Sequence, residues 1–146
     1  MTNMPSGSDS GGPTPHEARL PIRSDRDIVH ARQTGRSMAM ASNFAAAEAT
    51  LIATAISELA RNILRYAGSG EILLQRTDNG YPQGIRIVAN DHGPGIADLD
   101  RVMLFGYSTS GSLGLGLPGV KRIMDAFEIE SETGRGTTVT VVKWRT

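Results

Sequence analysis

The sequence contains no cysteine, few aromatic residues and no excess of charge of either sign. Its 146 residues include 15 Lys+Arg, 15 Asp+Glu and 5% aromatic residues. The lack of cysteine excludes a disulfide scaffold, a thiolate metal site and a cysteine nucleophile. The balanced charge gives no general attraction to a nucleic-acid backbone or an anionic membrane surface. A chain of this length is expected to form one domain with a substantial core.

Long hydrophobic runs are also missing. No apolar stretch approaches the ~20 residues that cross a bilayer, and the first residues lack the basic and apolar regions of a signal peptide. Residues 1–17 are rich in Ser, Gly and Pro and are expected to form a disordered tail, which leaves 18–146 as the domain. We therefore expect a cytoplasmic protein that binds neither nucleic acid nor a membrane.

Helical and strand patterns are mixed along the domain. A Ser24–Asp27 capping signal precedes one helix, and Pro21 restricts the first strand to a sheet edge. Two apparent hairpins favour an α/β (α+β) two-layer sandwich over a doubly wound parallel sheet. The expected helices are about Asp25–Met40, Phe44–Ala67, Asp98–Leu104 and Pro118–Ala126, and the expected strands are Ala18–Arg23, Glu71–Thr77, Ile85–Asn90, Phe127–Glu132 and Thr137–Trp144.

Glycine is over-represented, and its position is informative. Of 17 glycines, seven lie between Gly93 and Gly119. The first cluster, Asp91-His-Gly-Pro-Gly95, directly follows a predicted strand. An ionised carboxylate only accepts hydrogen bonds, so Asp91 suits an amine such as adenine N6 and repels the oxygen of guanine. The flanking glycines permit positive φ and close approach to a flat ligand, although this segment taken alone is also compatible with a plain β-turn.

The second cluster, Gly111 to Gly119, contains Gly114-Leu-Gly116-Leu-Pro-Gly119, which matches the dinucleotide pattern G-x-G-x-x-G. That pattern must directly follow a strand, whereas here it follows a Gly- and Ser-rich loop, and the Lys-Ser/Thr ending of a Walker A loop is also missing. The remaining interpretations are a phosphate-covering loop that acts through backbone N–H groups and a flexible surface loop. No Lys or Arg lies between Gly106 and Gly119, so a cation at the phosphates would come from Lys121, Arg122, Arg61 or Arg65.

Glu58 and Asn62 are four residues apart on the long predicted helix and therefore share one face. The amide oxygen of Asn62 is a suitable hard ligand for Mg²⁺ beside substrate phosphates. Glu58 could accept a proton from an attacking hydroxyl. The spacing alone favours a more ordinary arrangement, in which a solvated Glu58 pairs with Arg61.

The order of these elements is more specific than any of them separately. Glu-x-x-x-Asn on a helix, Asp-x-Gly-x-Gly after a strand and then a glycine-rich lid resembles the Bergerat-fold (GHKL) ATPase and kinase superfamily. Within it, the chain resembles the small serine/threonine kinases of the anti-sigma and stressosome switch type. The resemblance runs from about Leu20 to Arg145 and is most specific over Ala53–Asn62, Asp91–Ile96 and Gly106–Asp125. It implies a mixed, mainly antiparallel sheet with helices on one face.

The resemblance also implies a Mg-ATP-dependent serine/threonine protein kinase. Asn62 would coordinate Mg²⁺, and Glu58 would be the catalytic base toward the substrate serine. Asp91 would read adenine N6, and Thr137 would reach the same edge through its hydroxyl or a water. The other implied nucleotide contacts lie in the glycine clusters, with Gly93, Gly95 and Ile96 at the base and Gly114, Leu115 and Gly116 at the phosphates.

The implied partners are proteins. The substrate would be a STAS-domain antagonist or scaffold, and the kinase would act in a stress response as a partner-switching regulator that also activates a PP2C-type phosphatase. The alternative is an anti-sigma factor that sequesters a sigma subunit and has secondary kinase activity. The Gly-Tyr-Ser-Thr-Ser-Gly loop and the helix after it favour the switch kinase.

Overall fold

The computed structural model, which describes residues 16–77, 83–97, 103 and 116–145, contains a five-stranded sheet and three helices in those ranges. The strand order is β1-β2-β3-β5-β4, and all four pairings are antiparallel. The two-layer prediction is confirmed, with an entirely antiparallel sheet over these strands. The strands are β1 (Glu17–Ile22), β2 (Gly70–Arg76), β3 (Gly84–Asp91), β4 (Ala126–Glu132) and β5 (Gly136–Trp144), and the helices are α1 (Asp25–Ala41), α2 (Ala46–Ala67) and α3 (Gly116–Ile123).

Helix α2 is the centre of the core. Its apolar side chains recur at helical spacing, and Ile52, Ile56, Leu59 and Ile63 are all buried. They pack with α1 and with the inner face of the sheet in one continuous cluster. The helix ends as predicted at Gly68, which adopts a positive φ of 83° that favours glycine.

The inward-facing positions of β3 and β5 continue beyond the apolar core and are polar at the end of the sheet. Ile87 and Ala89 of β3 lie on the inner face, paired with Val141 and Val139 of β5. Because the side-chain period of a strand is two, the next inner pair is Asp91 and Thr137, which are direct partners. The sheet therefore places a carboxylate beside a hydroxyl at the end of the apolar core.

The N-terminal boundaries differ from the prediction in two details. Glu17, assigned above to the tail, is the first residue of β1 and pairs with Gln75 of β2. Ser24 occupies the N-cap of α1, but its side chain makes no capping hydrogen bond. The carboxylate of Asp27 instead accepts the backbone N–H of Arg23 at 2.8 Å. The edge position of β1, expected from Pro21, is confirmed.

The third helix is shorter than predicted. It ends at Ile123, and Ala126 already belongs to β4, where it pairs with Val142. The backbone N–H of Asp125 donates to the carbonyl of Val142 at 2.9 Å. Sheet pairing therefore overrides the local helical preference of these residues.

Three predicted features lie outside the described residues. They are the tail over residues 1–15, most of the short helix near Asp98–Leu104, and the loop from Gly106 to Leu115. Among the helices that are described, none combines the length and apolar character needed to span a bilayer.

Candidate active site

A small pocket lies between α2, the ends of β3 and β5, and the start of α3. Its walls are mostly apolar, and polar groups stand at the end of the sheet and on α2. Four of the predicted site residues meet there: Asn62, Asp91, Ile96 and Thr137. The other lining residues are Leu59, Ile63, Tyr66, Ala89, Leu117 and Val139.

Asp91 is a buried carboxylate, with 9% of the residue exposed. Its Oδ1 accepts the backbone N–H of Gly93 at 2.9 Å and that of Thr137 at 3.3 Å. No described group donates to Oδ2, the second oxygen. A carboxylate oxygen can accept hydrogen bonds, and Asp91 lines the pocket, so Oδ2 is an acceptor for the amine of a ligand.

A hydroxyl network stands beside this carboxylate. The Oγ of Ser131 in β4 lies 2.8 Å from the Oγ1 of Thr137. Ser131 also accepts the backbone N–H of Ile96 at 2.7 Å and donates to the carbonyl of Gly136 at 3.2 Å. The segment after β3 is thereby fixed to β4. Ser131 is not among the predicted site residues, although its position opposite Thr137 in the second hairpin is a usable signal.

The glycines of the first cluster are required by contacts within the chain. A Cβ on Gly93 would lie 2.5 Å from the Cβ of Ala67, at the end of α2. Gly95 has a positive φ of 81°, and a Cβ there would collide with the carbonyl oxygen of Glu132. Neither glycine is among the pocket-lining residues, whereas Ile96 is. Their contact with a nucleotide stays a prediction, and their demonstrated role is close packing.

Glu58 forms the ordinary pair expected from its spacing and a second contact that the spacing did not indicate. Its Oε2 lies 2.6 Å from Nη1 of Arg61. Its Oε1 accepts the backbone N–H of Gly116, the first residue of α3, at 3.3 Å. Only 10% of the Glu58 side chain is exposed. The carboxylate is therefore held against the start of α3 and is not a solvated surface group.

Asn62 and Tyr66 extend the same side of α2 into the pocket. Asn62 lies one turn after Glu58, and Tyr66 lies one turn after Asn62 and is 37% exposed. The ring of Tyr66 supplies an aromatic surface of the kind that stacks on a flat base. Tyr66 is not among the predicted site residues, although its spacing of four residues from Asn62 is a usable signal.

Asn62 can supply one oxygen to a magnesium ion but cannot hold the ion alone. The described residues contain no group of three or more His, Cys, Asp or Glu side chains that could hold a metal ion. An ion here would need oxygens from the phosphates of a ligand, and Mg²⁺ is commonly bound in this way by one or two protein oxygens. The position of Asn62 on the pocket wall allows such sharing.

The predicted phosphate-covering residues are only partly described. Gly114 and Leu115 lie outside the described residues, and Gly116 is the first residue of α3. Of the four candidate cations, Arg61 contacts Glu58, whereas Arg65, Lys121 and Arg122 are exposed on the helix surfaces. Arg61 is therefore in direct contact with a predicted site residue.

Three comparisons with known proteins show what the chain is similar to. A family model described as histidine kinase-, DNA gyrase B-, and HSP90-like ATPase matches residues 47–146. The serine/threonine-protein kinase RsbT of Bacillus subtilis (strain 168) is 50% identical over 123 residues, which is 84% of this chain and 92% of RsbT. The solved mycobacterial sensor histidine kinase MprB superposes with a TM-score of 0.52 at 16% identity, over 88% of this chain and 98% of that chain. The likeness to MprB concerns the fold alone.

Proposed function

The chain belongs to the histidine kinase-, DNA gyrase B-, and HSP90-like ATPase family and is a serine/threonine protein kinase, and we propose that it phosphorylates a STAS-domain protein with Mg-ATP. The observation that carries the assignment of the nucleotide site is Asp91. Its Oδ1 accepts two backbone N–H groups, and its Oδ2 accepts none from the residues that the structure describes, at the end of an apolar pocket. A purine with an exocyclic amine supplies a donor for Oδ2.

In this proposal the base enters between α2 and the sheet. The adenine amine donates to Asp91 Oδ2, and the ring lies against Ile96 and Tyr66. The phosphates extend along α2 toward Asn62 and the start of α3, where backbone N–H groups and the helix N-terminus favour an anion. Magnesium, when bound, would neutralise phosphate charge as the γ-phosphoryl group moves, and Asn62 is the residue that would hold it.

Glu58 is the proposed catalytic base. The Oε1 of Glu58 would take the proton of the substrate hydroxyl while the hydroxyl oxygen forms its bond to the γ-phosphorus. The bond from that phosphorus to the β–γ bridging oxygen breaks, and ADP leaves with the electron pair. The buried position of Glu58 beside Gly116 supports this role, because the Gly116 N–H already donates to Oε1. A substrate hydroxyl could replace that donor.

The proposed partners are proteins. We expect the substrate to be a serine or threonine of a STAS-domain antagonist or scaffold in the cytoplasm. The phosphorylated form would release the kinase to a second partner, a PP2C-type phosphatase that the kinase activates. Support for this switch comes from the resemblance of the chain to regulatory kinases of the anti-sigma and stressosome type.

One mixing experiment tests the proposal. The protein is incubated with Mg-ATP and STAS domains encoded near its gene, and the phosphate is located by mass spectrometry. A phosphoserine or phosphothreonine on one STAS domain, lost with Glu58→Gln, is the expected result. If no STAS domain is modified and a pull-down instead recovers a sigma subunit, the proposed substrate is wrong and the chain acts as an anti-sigma factor.

A further inference from the structure

Ser131 is not one of the residues that line the pocket, but it contacts Thr137, which is one of them. It occupies the inner face of β4 and pairs in register with Thr137 of β5. Its single hydroxyl has three partners: the Ile96 N–H, the Gly136 carbonyl and the Thr137 hydroxyl. The direction of these three hydrogen bonds determines what Thr137 presents to a ligand.

The hydrogens of this network can be counted. A serine hydroxyl has one hydrogen to donate and two lone pairs to accept with. The Ile96 N–H can only donate, and the Gly136 carbonyl can only accept. When the Ser131 hydrogen points to the Gly136 carbonyl, the Thr137 hydroxyl must be the donor in the 2.8 Å bond to Ser131. The hydrogen of Thr137 then points to Ser131, which does not line the pocket, and the lone pairs of Thr137 remain available to a ligand.

We infer that Ser131 sets the nucleobase selectivity of the site by holding the Thr137 hydroxyl as a hydrogen-bond acceptor. This inference rests on the proposed ATP site. With Ser131 in place, the end of the pocket presents two acceptors, Asp91 Oδ2 and Thr137 Oγ1. A 6-amino purine offers donors to such a pair, either directly or through a water. A 6-oxo purine brings an oxygen against two acceptors and is repelled.

The variant Ser131→Ala tests this role of Ser131. The binding of ATP and of inosine triphosphate (ITP), which carries a 6-oxo group and lacks the 2-amino group of GTP, is measured by calorimetry for wild type and variant. Without its acceptor, the Thr137 hydroxyl can turn its hydrogen into the pocket and donate to O6. We expect the ATP preference over ITP to fall about tenfold, the size of one neutral hydrogen bond gained or lost. Ser131→Thr keeps the hydroxyl and should keep the preference.

The ratio of ATP affinity to ITP affinity distinguishes a role of Ser131 in base selectivity from a purely structural role. Ser131→Ala also removes the acceptor of the Ile96 N–H, and a merely loosened loop would weaken ATP and ITP equally. A ratio unchanged from wild type in a folded Ser131→Ala variant therefore overturns the inference.

Thr137→Val keeps the inference testable if Ser131→Ala does not fold, and a double variant extends the test if Ser131→Ala does fold. Thr137→Val removes one of the two acceptors and should also lower the ATP preference, and an unchanged ratio contradicts the inference. In the Thr137→Val background, Ser131→Ala should change the ratio no further, because Ser131 acts through Thr137. If wild type itself shows no preference for ATP, the adenine site of the proposed function fails, and the role of Ser131 fails with it.

Discussion

Nη1 of Arg61 lies 2.6 Å from Oε2 of Glu58, whereas Oε1 of the same carboxylate faces the Gly116 N–H at 3.3 Å. The first contact is a short charge-assisted bond, and the second is long for a bond from a backbone N–H. The two oxygens are therefore held unequally. In the proposed reaction, Arg61 fixes the orientation of the carboxylate, and Oε1 exchanges Gly116 for the substrate hydroxyl.

Arg61→Gln should lower kcat and leave ATP affinity nearly unchanged. Without the guanidinium, the Glu58 carboxylate is free to rotate, and a misplacement of about 1 Å can cost up to ~100-fold in rate. Arg61→Lys retains the charge and should retain part of the rate. The measurement is steady-state transfer together with ATP binding by calorimetry.

Arg86→Gln is the matched control for Arg61→Gln. Arg86 is exposed on the sheet face opposite the helices, so loss of its charge should change neither quantity. If Arg61→Gln weakens ATP binding and leaves kcat unchanged, Arg61 binds the phosphates and does not position Glu58.

Asp91→Asn should weaken ATP binding by about tenfold or more, since an unmatched buried polar group costs about 1–3 kcal/mol. The asparagine oxygen can still accept the N–H groups of Gly93 and Thr137. Its amide nitrogen would then replace Oδ2 and set a donor against the adenine amine. Calorimetry with ATP gives the affinity, and Glu130→Gln on the exposed side of β4 serves as the charge control. Equal ATP affinity in Asp91→Asn and wild type would remove the adenine-reading role.

Gly93→Ala should lower the free energy of unfolding even when no ligand is bound. The added Cβ would lie 2.5 Å from the Cβ of Ala67 and 2.8 Å from its Cα, so the end of α2 or the segment after β3 must move. Overpacking of this kind typically costs about 1–3 kcal/mol. Urea denaturation without nucleotide measures this change in the free energy of unfolding. An unchanged midpoint would show that the contact relaxes without cost.

Asn62→Ala should remove the magnesium dependence of ATP binding. The expected result is a weaker affinity in the presence of Mg²⁺ and an unchanged affinity in excess EDTA, because only the metal-bridged contact is lost. Calorimetric titrations of ATP under both conditions give the comparison. Gln33→Ala, on the exposed side of α1, is the control and should keep the full magnesium effect. If Asn62→Ala keeps the full effect of Mg²⁺ on ATP affinity, the assignment of Asn62 as the metal ligand is wrong.

Local periodicity predicted the parts of the site that lie within one element or one hairpin. The spacing of Glu58 and Asn62 placed them on one side of α2, and the turn chemistry around Asp91 marked the end of β3. The contact of Glu58 with Gly116 spans 58 positions in the chain. It depends on how α3 packs against α2, which no local pattern contains.

Two other misses have different physical causes. Tyr66 and Ser131 follow from simple periodicities, four residues on a helix and direct pairing across a hairpin. Neither residue belongs to the Glu-x-x-x-Asn motif, the Asp-x-Gly-x-Gly motif or the glycine-rich loop, which mark most of the other site residues. The end of α3 was placed too late because β4 pairs with β5 from Ala126 onward, and tertiary pairing outweighs helix propensity there.

The most direct test of the proposed mechanism is phosphoryl transfer by Glu58→Gln under saturating Mg-ATP, with the STAS domain that wild type modifies. Glutamine keeps the size of the side chain and its capacity to accept the Gly116 N–H, but it cannot take the proton. ATP affinity should stay within about threefold of wild type, while the transfer rate falls by about 10²- to 10⁴-fold, the usual contribution of a general base. A Glu58→Gln variant that transfers phosphate at the wild-type rate would contradict the assignment of Glu58 as the base.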